Sequence, residues 1–233
     1  MVRNHIKRLT APKPWPIHRK AHSWVAKPNQ GTHSLDSCVS LGTFLKEFLK
    51  ICKNSREVKF ILSKKLVKID GKVRRNIRFP VGLMDIITVK DNNYRILFNT
   101  KGKLSYVEVS KEEAKLKPKK IIGKTSLKGN KLQINLFDGT NLLSDKKEFK
   151  TNDTLVFSEG KLKEKVEFKE GAFVYITGGK QIGKVGVLKK IGNFENLQPK
   201  KIIFNDGKSD FETLGTFAFV IGKDKPLITL PNE

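Results

Sequence analysis

The sequence predicts an α+β protein of several small modules in series. A basic N-terminal arm spans residues 1–37, a helical basic module 38–92, a β-rich central domain 93–170, and a β-hairpin module with a C-terminal tail 171–233. Three observations predict this. Prolines crowd the start of the chain, apolar residues take helical spacing between residues 41 and 66, and short β-branched runs punctuated by Asp-Gly, Glu-Gly and Gly-Gly follow. At 233 residues and 38% hydrophobic, the chain can bury a core, yet the local patterns favour modules.

Composition points to the partner. Lys and Arg number 47 against 23 Asp and Glu, a net charge of +24, which is the electrostatic footprint of a polyanion-binding protein. A surface stabilised by many ion pairs would raise acids and bases together, and here the bases are double the acids. No run is apolar enough to span a bilayer, and the bases are spread along the chain instead of flanking one amphipathic anchor. Nucleic acid is therefore expected, with no membrane and no small-molecule substrate. Residues 1–30 lack a signal-peptide pattern, so a cytoplasmic location is expected, with Cys38 and Cys52 as reduced, helix-buried thiols. The spacing His18-x-x-x-His22 comes without a Cys-x-x-Cys pair, so no metal site or cofactor is expected.

The arm holds no acidic residue before Asp36, whereas Arg3, Lys7, Arg8, Lys13, Arg19, Lys20 and Lys27 are cationic. Pro12, Pro14, Pro16 and Pro28 work against regular structure, and such a segment cannot build its own core. Trp15 and Trp24, set among Arg19, Lys20, His18 and His22, suit stacking on unpaired bases while the cations Lys7, Arg8, Lys13, Arg19 and Lys20 meet phosphates. The arm is thus expected to order on RNA, the alternative being tryptophans packed on the protein's own domains.

Leu41, Phe44, Leu45, Phe48, Leu49 and Cys52 follow helical spacing. A second helix is expected from about Ser55, with Val58, Ile61, Leu62 and Leu66 as its apolar stripe and Arg56, Lys59 and Lys64 projecting elsewhere. The alternating run Val67 to Val73 turns at Asp70-Gly71, carries Lys72, and is trailed by Arg74, Arg75 and Arg78. All seven of these cations are candidate RNA contacts. In the central region, strands are expected around residues 94–98, 132–137 and 155–157, with turns at Asp138-Gly139 and Glu159-Gly160, and a basic cluster at Lys115, Lys117, Lys119 and Lys120 lies between the first and second strands.

In the last third, Val174 to Thr177 meets Gly178-Gly179-Lys180-Gln181-Ile182-Gly183-Lys184 and returns as Val185-Gly186-Val187. The spacing of Gly178 and Gly183-Lys184 is that of a nucleotide-binding loop. Position 185, however, is Val where a magnesium-binding hydroxyl is needed, and a strand follows where a helix should. A second partial match, Gly123-Lys124-Thr125, has Pro118 in place of the first glycine. The loop reads instead as a β-hairpin with Lys180 and Lys184 in solvent. Asp206-Gly207 turns a further hairpin before Phe211.

Several of these stretches carry resemblances. The glycine-cornered hairpin resembles the KOW motif, which implies an SH3-like KOW barrel for residues 171–233. Two helices followed by a basic hairpin resemble the S4-type RNA-binding module, which implies a clamp on folded RNA for residues 38–92. The arm's His5-Ile6-Lys7-Arg8-Leu9-Thr10-Ala11-Pro12-Lys13-Pro14-Trp15 and Gly31-Thr32-His33-Ser34-Leu35 resemble the opening of the archaeal and eukaryotic small-subunit ribosomal protein family S4e. The likeness continues through Ile69-Asp70-Gly71-Lys72-Val73-Arg74, Pro80-x-Gly82-x-Met84-Asp85-Ile86-Ile87, Thr100-Lys101-Gly102, a helix start at Glu112-Glu113-Ala114, Asn152-Asp153-Thr154, the Gly178 loop, Val220-Ile221-Gly222-Lys223 and Pro226-x-Ile228-x-Leu230-Pro231. Residues 16–22 depart from the family's wording. The chain stops soon after Pro231, without the extension of eukaryotic members, which favours an archaeal type.

The resemblance implies a non-enzymatic, structural constituent of the small ribosomal subunit. It would bind folded small-subunit ribosomal RNA through several basic modules and lie beside neighbouring small-subunit ribosomal proteins. An RNA-modifying enzyme or a transcription-elongation factor could use the same modules, but no Ser/His/Asp set, carboxylate pair or metal cluster is legible to support catalysis.

Overall fold

The structure is a computed structural model that describes residues 5–129, 131–144, 148–192, 200–207, 209–223 and 225–230. Arg3 of the arm and Pro231 of the expected ending lie outside the described residues. The chain forms two compact units, one of Met1–Phe98 with Lys103–Lys115, the other of Asn99–Gly102 with Leu116–Glu233. Both are mostly β-structure, with few and short helices.

In the first unit the arm is partly regular. Ile6–Lys7 pairs antiparallel with Trp24–Val25, and a tight helical turn, Arg8–Thr10, follows the first of these strands. Cys38–Ser40 pairs with Pro80–Gly82, so Cys38 is buried on a strand, and Cys52 is buried in a loop, neither of them on a helix. The long first helix expected from Leu41 is only one turn, Leu41–Thr43, capped by the Ser40 hydroxyl accepting the Thr43 N–H at 3.3 Å. It runs into a wide turn, Phe44–Phe48, in which the Leu49 N–H donates to the Phe44 carbonyl five residues back at 3.1 Å. Lys50, at φ 54°, then ends it.

The second helix, Ser55–Ser63, buries Val58 and Leu62. Lys65, at φ 59°, turns the chain away before Leu66, which leaves the expected stripe and stays exposed. A five-stranded antiparallel sheet runs in the order Lys72–Val73, Val67–Ile69, Ile86–Val89, Asn92–Phe98, Leu104–Val109. Asp70 and Gly71 both have positive φ, 48° and 77°, as a two-residue turn matched to strand twist requires. The Asp70 carboxylate locks the turn by accepting the Ile86 N–H at 3.1 Å. The expected helix start at Glu112-Glu113-Ala114 is a single tight turn, Glu113–Lys115. There Glu113 pairs at 3.2 Å with Arg95, which is fully buried and whose guanidinium burial pulls down to about 10.

The second unit stacks two five-stranded antiparallel sheets. The first has the order Asn141–Ser144, Leu132–Leu136, Leu116–Ser126, Thr154–Ser158, Lys161–Val166. Its long middle strand shifts register between Ile121 and Gly123. One half pairs with Thr154–Ser158 and the other with Leu132–Leu136, as a bulge permits. The second sheet has the order Asp210–Leu214, Lys201–Asn205, Val185–Ile191, Phe173–Ile176, Ala218–Gly222. Period-two alternation lets Thr154–Ser158 serve two cores. Leu155 and Phe157 pack with Ile121, Ile134 and Leu136, while Val156 joins Val174, Leu188, Phe204 and Val220 of the second sheet.

The basic cluster expected after residue 114 lies along the Leu116–Ser126 strand and is divided by the same alternation. Lys117 and Lys119 reach Asp138, at 3.9 and 2.7 Å, whereas Lys120 points inward and is 5% exposed. Its ammonium donates to the carbonyls of Thr216 and Ala218, each at 2.6 Å, and of Gly215 at 3.5 Å, joining the two sheets. Burial draws Lys120 down to about 8 from an ordinary 10.5.

Lys120→Met is expected to leave those carbonyls unpaired and to lower unfolding stability by about 2 kcal/mol or more at pH 7, read by urea denaturation. Between about 8 and 10.5 the unfolded chain holds the Lys120 proton more tightly than the folded one. The unfolded state then binds more protons, so this residue's contribution makes stability rise with pH across that interval. The wild type should show that rise relative to Lys120→Met.

Candidate nucleic-acid interface

Prolines leave the arm short of backbone donors, and two guanidinium groups supply them. Arg8 is 6% exposed. It donates through Nη1 to the His18 carbonyl at 3.0 Å, through Nε to the Trp24 carbonyl at 3.3 Å, and through both terminal nitrogens to the Glu47 carboxylate. Arg19 donates to the carbonyls of Ala11 and Pro12, each at 2.8 Å, and of Leu9 at 3.3 Å. The arm is folded onto its own unit through these contacts. Trp15 is buried at 1% exposure, and the Leu104 N–H donates to the neighbouring Pro14 carbonyl at 2.8 Å.

Two expectations are corrected here. Trp15 and Arg8 are interior groups of the protein and not faces offered to RNA, because the one fills a core position and the other neutralises Glu47. Arg19 is half-buried, with its N–H groups committed to the backbone. The arm presents Lys7, Lys13, Lys20 and Trp24, the last 54% exposed with His5 edge-on at 5.0 Å and the Lys7 ammonium 5.8 Å from its ring. The missed signal was Glu47, which is the only acid between Asp36 and Glu57.

A second part of the site lies on the helix Ser55–Ser63 and the hairpin after it. Arg56, Lys59, Lys64, Lys72, Arg75 and Arg78 are all exposed. Phe60 stands at 62% exposure between Arg56 and Lys64, one helical turn to either side, with the Lys64 ammonium 5.5 Å from its ring. Sequence reasoning missed Phe60, although it falls outside the apolar stripe of Val58 and Leu62. Arg74 is half-buried and stacks at 4.5 Å over the Phe79 ring.

In the second unit, the glycine loop is closed by its own backbone. Gly183 N–H donates to the Ile176 carbonyl at 2.8 Å and Ile176 N–H to the Lys184 carbonyl at 2.9 Å. A Cβ on Gly183 would lie 2.3 Å from the Asn99 carbonyl oxygen and one on Gly178 2.6 Å from the Phe217 ring. These glycines answer to crowding, not to phosphates, and the strand Val185–Ile191 follows. Lys180 is exposed. Lys184 is half-buried, its ammonium 3.5 Å from the Phe211 ring, so it is shared with the protein's own aromatic. Gly123-Lys124-Thr125 sits inside a strand, and Lys124 donates to the Phe149 carbonyl at 2.8 Å.

Two stretches separated in sequence meet within the first unit. His33 Nε2 lies 2.9 Å from Asp85 Oδ2, which also accepts the Gly82 N–H at 3.0 Å, and a Cβ on Gly82 would strike the His33 ring at 2.5 Å. Burial pushes the Cys38 thiol up to about 12. Among the described residues no group of three or more His, Cys, Asp or Glu side chains could hold a metal ion, and no helix is long and apolar enough to cross a membrane.

Comparison with known proteins adds the following. The profile of the "Ribosomal family S4e" matches residues 90–161, and that of the "RS4NT (NUC023) domain" matches residues 2–36. The small ribosomal subunit protein eS4 of Methanosphaera stadtmanae is 40% identical over 235 residues, covering 99% of this chain and 97% of its own. That of Archaeoglobus fulgidus is 38% identical over 237 residues, covering 99% of each. The crystal structure of the 30S ribosomal protein S4e from Thermoplasma acidophilum superposes with a TM-score of 0.74 at 32% identity, covering 83% of this chain and all of the other.

Glu47→Gln weakens the pairing that Arg8 relies on and should release the arm. Limited trypsin digestion of the variant is expected to cleave within residues 7–27 severalfold faster than in the wild type, with the rest of the chain cut at an unchanged rate.

Proposed function

This chain belongs to the ribosomal protein family S4e, and from that premise we propose that it is a structural constituent of the small ribosomal subunit that grips folded small-subunit ribosomal RNA at several separate points. The observation that carries this is the helix Ser55–Ser63 with its hairpin, where Arg56, Lys59, Lys64, Lys72, Arg75 and Arg78 all face solvent without a carboxylate partner among the described residues. In a fold that buries Arg8, Arg95 and Lys120 only with acceptors arranged around them, so many unneutralised cations on one short segment are best explained by phosphates.

The finer reading divides the work. Residues 38–92 act as an S4-type RNA-binding module and residues 171–233 as a KOW-type, SH3-like barrel that offers Lys180. The arm, residues 1–37, supplies Lys7, Lys13, Lys20 and Trp24 from a surface already folded on the protein. Residues 93–170 carry the β-rich connection between them. Cations neutralise phosphates, Trp24 stacks on an unpaired base, and linkage of several weak grips on one chain raises the effective concentration of each. The protein works as an assembled part of the subunit, in the cytoplasm and beside other small-subunit proteins, and no catalytic role is assigned to it.

Full-length protein mixed with archaeal small subunits should co-sediment with them through a high-salt gradient; protein that stays at the top even in low salt would refute the reading. Alanine at Arg56, Lys59 and Lys64 together should lower the salt slope of log K for ribosomal RNA by about 2–3, while the melting temperature moves by only a few degrees. Because Lys184 also holds Phe211, Lys180→Glu is the cleaner test of the loop. It should weaken RNA binding a few-fold without changing thermal stability.

A further inference from the structure

Below the Asp70-Gly71 hairpin the first unit carries a concavity of about 550 Å³ lined by Lys65, Val73, Arg74, Arg75, Asn76 and Phe79. That is within the size range of small-ligand pockets. The loop that forms one wall is held from several sides. The Ile77 and Phe79 carbonyls accept from Gly42 and Leu41 at 2.8 and 2.9 Å, the Arg78 carbonyl accepts from Asn29 at 2.7 Å, and the Phe79 N–H donates to the Asn76 carbonyl at 3.1 Å. Gly42 is required for this approach, since a Cβ there would lie 2.4 Å from the Ile77 side chain. The pocket is thus formed in advance of any ligand.

Its lining is mixed in a particular way. Val73 is a strand residue left 42% exposed. The Arg74 guanidinium carbon lies over the Phe79 ring, 4.5 Å from its centre, its buried Nε meets no acceptor, and no carboxylate pairs with its guanidinium among the described residues. An arginine fixed by an aromatic ring beneath it, and not by hydrogen bonds, presents a cationic plane whose rotamer freedom is already spent. The Asn76 side-chain oxygen accepts from the Arg78 N–H at 2.9 Å, which leaves the amide nitrogen as a donor. Lys65 and Arg75 are exposed cations on the rim. An apolar wall, a stacking plane, one fixed polar group and two rim cations are together complementary to a nucleotide: base on the plane, phosphate on the rim.

We infer that this concavity receives a single unpaired nucleotide of the bound RNA, its base stacked on the Arg74 guanidinium against Val73 and its phosphate held by Arg75 and Lys65. The inference rests on the RNA-binding reading above and assigns a base-contacting role to this place in the fold. Specificity for an extruded base over a paired one follows, because stacked bases within a duplex cannot enter.

The test uses the full chain with two short RNA hairpins of equal length, one fully paired and one with a single bulged fluorescent adenine analogue. The wild type should prefer the bulged hairpin about tenfold, and its analogue should change fluorescence on binding. Val73→Gln, at an exposed position that does not threaten folding, and Arg74→Lys, which keeps the charge and loses the plane, should each erase most of that preference while affinity for the paired hairpin changes less than about twofold. Phe79→Leu should behave like Arg74→Lys. Equal affinity of the wild type for the two hairpins, or a preference that survives Val73→Gln and Arg74→Lys, overturns the pocket and leaves the RNA-binding reading standing. Failure to bind either hairpin overturns both. Saturable binding of adenosine monophosphate alone, without preference for the bulge, overturns the inference in favour of a free nucleotide.

Discussion

A chain with 47 bases and 23 acids can bury a cation only where it can bring an acceptor to it, and this constraint shapes both units. Arg8 reaches the interior through Glu47, Arg95 through Glu113, and Lys120 through the carbonyls of Gly215, Thr216 and Ala218, at the turn that leads into the last strand of the second sheet. Each of these cations lies where two parts of a unit must be joined: arm to helical turn, sheet to the turn beside it, sheet to sheet. Other acids lock turns, as Asp70 does, or neutralise lysines, as Asp138 does for Lys117 and Lys119. Arg56, Lys59, Lys64, Lys72, Arg75 and Arg78 are exposed instead, with no carboxylate paired to them among the described residues.

The same economy alters how the arm should be pictured. A proline-rich basic segment with two tryptophans suggests a tail awaiting RNA, yet here Arg8 and Arg19 close its backbone and Trp15 anchors it. What the arm presents is a surface built beforehand, with Trp24 and three lysines, so a partner that met it would cost less ordering entropy. The glycine loop changes in a similar way: its glycines permit close packing on Asn99 and Phe217, and its chemistry reduces largely to Lys180.

Legibility varied with how local the cause was. The turn at Asp70-Gly71 was readable because two consecutive positive φ values are a property of the two residues themselves. The strands around residues 94–98, 132–137 and 155–157 were readable from short β-prone runs joined by turns. The first helix was overestimated, since apolar spacing over residues 41–52 cannot reveal that Phe44 accepts from Leu49 or that Lys50 turns left-handed. His33 and Asp85 stood in two separate stretches of family likeness, and only the fold shows them to be one contact. Phe60 was passed over because an exposed aromatic on a helix becomes visible only when the buried face is known.

Composition and motif by themselves determined that this protein is basic, modular, mostly non-helical in its second half and similar to family S4e, since charge balance, turn chemistry and alternation are written in consecutive residues. They could not separate Trp15 from Trp24, Arg8 from Lys7, Lys120 from Lys119, or Arg74 from Arg75. Each pair shares its local context, and the members differ in what arrives from elsewhere in the chain: Glu47, the carbonyls of residues 215–218, the ring of Phe79. Tertiary structure decided which cations are interior and which are offered to solvent, because burying a charge depends on partners remote in sequence.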